Sequence, residues 1–212
     1  VPAPKRISRL PVPPLGALPA DLRKYLKVCQ ERLGLVPNVL RAYALKPARL
    51  RHFINTYNDL MLGDDSGLTV LEREMIAVVV SSANRCYYCL VAHGQAVRQL
   101  SGDPELGELL AINWRLAPLP RRQQRMLAYA HELTTAPEAI TGAHRTALRR
   151  AGFSARDIFD LTEVAAFFNY TNRMAAGLEM MPNPEYHAMH RTPPVPRKTR
   201  PAPSRRQGAT RR

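Results

Sequence analysis

Between Leu68 and Ser82 the residues Leu68, Leu71, Met75, Val78, Val79 and Ser82 recur at steps of three and four, and no segment of the chain sustains apolar–polar alternation between hairpin turns. Steps of three and four place side chains on one face of an α-helix, whereas a half-buried strand needs a period of two. The chain is therefore expected to fold as an all-α helical bundle. Thr69 and Glu72 have the spacing of a capping box, which predicts a helix start at that point. The same texture recurs on both sides. Asp21 to Leu33 reads as a helix stopped by Gly34, Pro37 and Asn38 open a short helix toward Leu45, and residues 48–62 form the next. Pro120 begins a stretch lined by Met126, Leu127, Ala130 and Leu133, and Pro137 begins a helix read as running to near Gly152. Ser154 and Asp157 start the longest late helix, with Ile158, Leu161, Ala165, Phe168 and Asn172 as its inward stripe.

A chain of 212 residues has room for one good-sized core. Its 45% hydrophobic and 23% charged content is that of ordinary globular protein. The formal net charge of +14 suggests a polyanionic partner until it is located along the chain. Eight of those charges lie in residues 191–212 and three in residues 1–20, which leaves +3 for everything between. Prolines crowd the same two ends and favour extended, solvated chain. The expected organisation is a proline-rich arm over 1–20, a helical domain over 21–190, and a basic proline- and arginine-rich tail over 191–212, expected to be disordered. The N-terminal prolines are unlike the apolar stretch of a secretory signal, and no apolar run is long enough to span a bilayer. Three cysteines are too few for a disulfide framework. A cytoplasmic, reducing location with no membrane contact is the expectation.

The chemistry concentrates in Glu74-Met-Ile-Ala-Val-Val-Val-Ser-Ser-Ala-Asn-Arg-Cys86-Tyr-Tyr-Cys89-Leu-Val-Ala-His93. Asn84 and Arg85 break the preceding helix, so Cys86 should stand at or near the start of a new one running toward Leu100. Cys86, Cys89 and His93 then fall at i, i+3 and i+7 on one helical face. The unpaired N–H groups at a helix start favour a thiolate. A histidine one turn beyond Cys89 can take or return its proton. Glu74 lies on the inward side with Leu71 and Val78, while Glu72 is occupied by the cap; an inward carboxylate needs a partner, and a thiol or imidazole relay would supply one. A thiolate beside a second thiol can attack a hydroperoxide, form a sulfenic acid and then a disulfide, and be reset by an external thiol donor. The same pair could exchange disulfides with a partner protein without meeting a peroxide. Neither route requires a cofactor.

The spacing E-x11-C-x-x-C-x3-H resembles the signature of the alkylhydroperoxidase D family within the carboxymuconolactone decarboxylase superfamily, and EREMIAVVVSSANRCYYCLVAHG resembles its peroxidase-related branch. LVPNVLRAYALKP, GLTVLEREM, PRRQQRMLAYA, AGFSARDIFD, AAFFNYTNRMA and MPNPEY extend the likeness over roughly residues 7–187. The resemblance implies an all-α fold assembled into homo-oligomers, a Cys86–Cys89 redox pair, His93 as thiol-activating base and Glu74 as the carboxylate of a proton relay. Its substrates would be an organic hydroperoxide or hydrogen peroxide, and its reductant a dithiol or a partner redox protein. The family usually gives the peroxide-attacking role to the second cysteine. Helix-start activation argues for Cys86, whereas the i+4 position of His93 argues for Cys89, which is preferred on sequence grounds. Two departures stand out: Tyr87 and Tyr88 occupy the interior of the C-x-x-C, where members often carry a histidine, and the arginine-rich tail is an addition.

Other readings compete. Cys86, Cys89 and His93 could be part of a structural zinc site, although only three soft ligands are local and no second cluster follows. The chain could instead be a non-enzymatic binding module whose basic tail holds RNA or an acidic partner, but the tail lacks aromatic interleaving and no nucleic-acid fold is recognisable. Glu74 could simply pair with an arginine across a helix contact. His52, His131, His144, His187 and His190 are read as structural, and Cys29 as a half-buried helix residue.

Overall fold

The computed structural model describes residues 6–192, and within them every regular element is helical. In chain order these are α1 (Ala20–Leu33), α2 (Asn38–Tyr43), α3 (Pro47–Tyr57), α4 (Val70–Ala83), α5 (Tyr87–Ser101), α6 (Leu106–Asn113), α7 (Arg121–Thr135), α8 (Gly142–Arg150) and α9 (Ala155–Gly177). The all-α expectation holds for the described residues. The basic tail beyond residue 192 lies outside them.

The helix boundaries follow the capping chemistry read from the sequence. Thr69 accepts from the Glu72 amide at 3.1 Å while the Glu72 carboxylate accepts from the Thr69 amide at 3.0 Å, which is the reciprocal box. Ser154 and Asp157 repeat it at the start of α9. Gly34 closes α1 at φ 74, a left-handed conformation that costs glycine nothing. Three expectations need amendment. The helix expected from Pro137 to near Gly152 is two pieces, a 3-10 turn over Pro137–Ala139 and then α8. Extended backbone at Thr141, whose amide donates to His144 Nδ1 at 3.1 Å, separates them. The helix expected over 48–62 ends as α3 at Tyr57 and continues as a π-helical turn, Asn58–Leu62. Helix α6 is an addition that the periodicity did not mark.

Helix α4 is the axis of the molecule. It packs against α5, α6, α7 and α9, and Glu72 to Ser81 are all buried. A helix enclosed on every side carries apolar residues all round instead of one stripe, so Ile76, Ala77 and Val80 are as deep as the expected Met75, Val78 and Val79. Arg73 is tolerated there because its guanidinium donates to the carbonyls of Leu68 and Gly63, at 2.9 and 2.8 Å.

Two apolar clusters result. The larger surrounds α4 with Val97, Leu110, Leu127, Leu161 and Phe168. The smaller lies between the N-terminal helices and the start of α5, joining Leu22, Leu26, Leu50, Tyr43 and Phe53 to Cys86, Tyr88 and Cys89. Asn38 and Asn183 hold this second layer: the Asn38 amide donates to Asn183 Oδ1 at 2.7 Å, and Asn183 Nδ2 donates to the Val36 carbonyl at 3.0 Å. The described part of the proline-rich stretch runs along the end of α9, where the Arg9 amide donates to Leu178 O and the Met181 amide to Ile7 O.

Candidate active site

The turn between α4 and α5 aims the first cysteine. Asn84 ends α4, Arg85 takes a left-handed φ of 54, and the Arg85 and Cys86 amides return to Ser82 O and Ser81 O, at 3.0 and 2.9 Å. These two bonds form a Schellman closure with an arginine where glycine is usual. Cys86 thereby becomes the N-cap residue of α5, with extended φ, ψ of −84 and 97.

From that position the Cys86 sulfur is held as an acid near neutrality. Its pKa is lowered to about 7, first because the Cys89 thiol donates toward it, then through the Cys89 amide, the positive form of His93 and the Tyr88 amide, all against the opposing effect of burial. The amides act by their orientation, since neither makes a cap hydrogen bond. The same contact pushes Cys89 the other way. Its pKa is raised by hydrogen bonding to Cys86, by burial and by the Cys86 charge, and only partly offset by the Asn172 amide and Ser81 hydroxyl beside it. Both thiols are free and buried.

His93 and Glu74, nineteen residues apart, meet across the α4–α5 interface with Nδ1 2.6 Å from Oε2. A carboxylate only accepts, so Nδ1 carries the proton in this bond and Nε2 is left as the basic position of the neutral ring. The edge of Phe168 packs on the imidazole at 4.6 Å between centroids and 81° between planes, which fixes its orientation. Glu74 thus has an imidazole partner and none of the arginines salt-bridged among the described residues.

The structure brings all four sequence-marked residues to one interface. It adds Ser81 and Asn172, which sequence reasoning missed as site groups. Asn172 Nδ2 donates to Ser81 Oγ at 3.0 Å, bracketing the inner thiol. The available signal was the amide at Asn172 on an otherwise apolar stripe. Among the described residues no group of three or more His, Cys, Asp or Glu side chains converges as a metal site. Cys29 is half-buried on α1, as expected. His187 meets Tyr87 Oη at 3.1 Å on the exposed side of α5. A depression of about 290 Å³ lined by Tyr87, Leu90, Gly94, Arg98 and His187 lies on that side, and neither thiol of the pair lines it.

Comparison with known proteins shows the family and the fold. The carboxymuconolactone decarboxylase family matches residues 47–112, a stretch holding all four residues. An uncharacterized peroxidase-related protein from a Silicibacter species is 56% identical, with the match covering 89% of this chain and 98% of that one at a TM-score of 0.85. An uncharacterized peroxidase-related protein from Ralstonia eutropha, described as an alkylhydroperoxidase D core, is 41% identical over 90% of this chain and all of its own, at a TM-score of 0.87. A debrominase crystallised with 2,3,4-tribromopyrrole is 16% identical and shares the fold, covering 80% of this chain and 89% of its own at a TM-score of 0.68. No curated protein matches. With such identity across nearly the full length of two solved relatives, the chain belongs to the alkylhydroperoxidase D-like family of the carboxymuconolactone decarboxylase superfamily, in its peroxidase-related branch.

Proposed function

We propose that the protein is a thiol-dependent peroxidase that reduces hydroperoxides through the Cys86–Cys89 pair, with His93 and Glu74 as proton relay. The observation that carries this reading is a pair of free, buried thiols at the start of α5 beside a carboxylate-anchored imidazole on the same helix. Cys86 gives its proton to the His93 imidazole and attacks the peroxide as thiolate; the S–O bond forms as the O–O bond breaks, and the departing alkoxide takes that proton back from His93. Cys89 then gives up its proton and condenses with the Cys86 sulfenic acid, releasing water and forming a disulfide. An external dithiol or partner redox protein restores both thiols. The i+4 spacing to His93 favours Cys89 as the attacking sulfur; the N-cap position of Cys86 on α5, with its pKa lowered, favours Cys86, and that assignment is adopted.

Family membership supports a peroxidase-related activity, and the free cysteines support a reducing compartment. No helix among the described residues is long and apolar enough to cross a membrane. Ile112 and Leu116, 85% and 70% exposed, line one surface depression with Leu109, an apolar face that supports assembly of protomers into a homo-oligomer. The test is consumption of tert-butyl hydroperoxide with a dithiol donor. Cys86→Ser should lower turnover by about 10³-fold or more, and dimedone should label Cys86 in the Cys89→Ser variant. Labelling confined to Cys89 in Cys86→Ser reverses the two roles, and undiminished turnover in both variants ends the proposal.

A further inference from the structure

Tyr43, on α2, is 7% exposed and its ring stacks on Phe53 with 4.6 Å between centroids. Its hydroxyl is buried and has no hydrogen-bond partner among the described residues. A phenol that loses its water on folding and gains nothing in return destabilises the resting protein, so such groups are uncommon. This one sits in the same cluster as Cys86, Tyr88 and Cys89, close enough that a negative charge on Cys89 acts on it. Tyr170 of α9, 53% exposed, is a neighbouring phenol toward the solvent side, and the two make no bond of acceptable geometry. Burial first, then Tyr170 and Cys89, push the acidity of Tyr43 far beyond the neutral range. Its O–H is therefore a permanent donor beside a pair of sulfurs whose reaction generates a negative oxygen.

We infer that Tyr43 Oη is the hydrogen-bond donor to the departing oxygen of the hydroperoxide in the Cys86–Cys89 site. The inference rests on the peroxidase reading. As the Cys86 sulfur forms its bond to one peroxide oxygen, the electron pair of the O–O bond leaves with the other oxygen. Tyr43 stabilises that alkoxide through its O–H without surrendering the proton, which His93 supplies. A donor already in place and unpartnered costs no reorganisation when the charge appears.

Tyr43→Phe deletes this oxygen alone and keeps the stack on Phe53. The reduced variant should react with tert-butyl hydroperoxide about 10- to 100-fold more slowly than the parent. Alkylation of Cys86 by iodoacetamide, in which no oxygen departs, should keep its rate and pH midpoint within about twofold of the parent. The penalty should shrink to within a few-fold with peracetic acid, whose leaving acetate needs little stabilisation. Melting temperature should stay level or rise, because an unsatisfied hydroxyl has been removed. An unchanged rate with tert-butyl hydroperoxide overturns the inference, as does an equal loss with both oxidants, an equal loss in alkylation, or a lower melting temperature. A parent protein inert to both oxidants fails the peroxidase reading itself, and this inference with it; a reactive parent with an indifferent variant fails the role of Tyr43 alone.

Discussion

The two apolar clusters are similarly buried but differently furnished. Around α4, α7 and α9 the side chains are almost entirely aliphatic, and the buried phenol there, Tyr129, is bonded to Thr162 at 3.1 Å. Beneath the N-terminal helices the cluster contains two free thiols and a phenol without a partner. In the first, Arg73 at the centre is saturated by carbonyls, and the buried atom left without a partner among the described residues, Trp114 Nε1, lies far from any thiol in sequence and on a different element from the C-x-x-C. Each cluster therefore carries an unpaired buried polar group, which costs stability, but in the second it shares the cluster with two thiols. The cover of the second is also built from three separate helices, α1 to α3, with the Asn38–Asn183 clasp holding α2.

Substitutions in the two regions should therefore separate stability from reactivity. The largest effect is expected in the aliphatic cluster. Leu127→Ala, at a fully buried position on α7, should cost about 2–5 kcal/mol in chemical denaturation while leaving thiol reactivity per folded molecule intact; a selective loss of reactivity would erase the distinction. Next is Glu74→Gln at the relay. It preserves shape and an acceptor for His93 Nδ1 but removes the charge, and should lower hydroperoxide turnover by about 10²-fold, with unchanged turnover assigning the carboxylate a packing role.

A smaller effect tests the coupling of the two sulfurs. The Cys89 thiol is the foremost stabiliser of the Cys86 thiolate. Cys89→Ala removes a donor to the anion, so the Cys86 pKa must rise, and the midpoint of iodoacetamide alkylation should move from near pH 7 upward by about one unit. Cys89→Ser retains an O–H donor and should leave the midpoint near 7. A midpoint that stays put in Cys89→Ala would mean that the amides and His93 suffice. The smallest effect concerns the turn that aims the site. Arg85→Gly relieves a left-handed arginine and should stabilise the fold by about 0.5 kcal/mol, strain relief exceeding the entropy glycine adds to the unfolded chain. Destabilisation in thermal melts would show that Arg85 makes compensating contacts.

Where local chemistry dominates, the sequence was readable. The Thr69–Glu72 box, the helix start at Ser154, the stop at Gly34 and the break at Asn84-Arg85 each involve residues a few positions apart, and all appear where expected. The inward carboxylate at Glu74 announced its need for a partner, and imidazole was one of the two proposed. The expectation failed over 137–152, where a start at Pro137 and a stop near Gly152 were read as one helix and Thr141 turns its backbone out of it. It also passed over α6, whose Leu106, Leu110 and close glycine contact at Gly107 with the Gly94 carbonyl serve packing on α5 and follow no strong stripe.

Taken alone, the sequence determined that the chain is helical, where Cys86, Cys89 and His93 share a face, and that Glu74 points inward, because those facts depend on backbone periodicity and caps. Which partner Glu74 takes was decided only by tertiary structure. A thiol, an imidazole and an arginine were all compatible with the sequence, and the outcome, His93 Nδ1 at 2.6 Å, depends on how α5 packs on α4. The orphaned Tyr43 was equally invisible, since a missing partner is a property of the whole packed neighbourhood and of no local pattern.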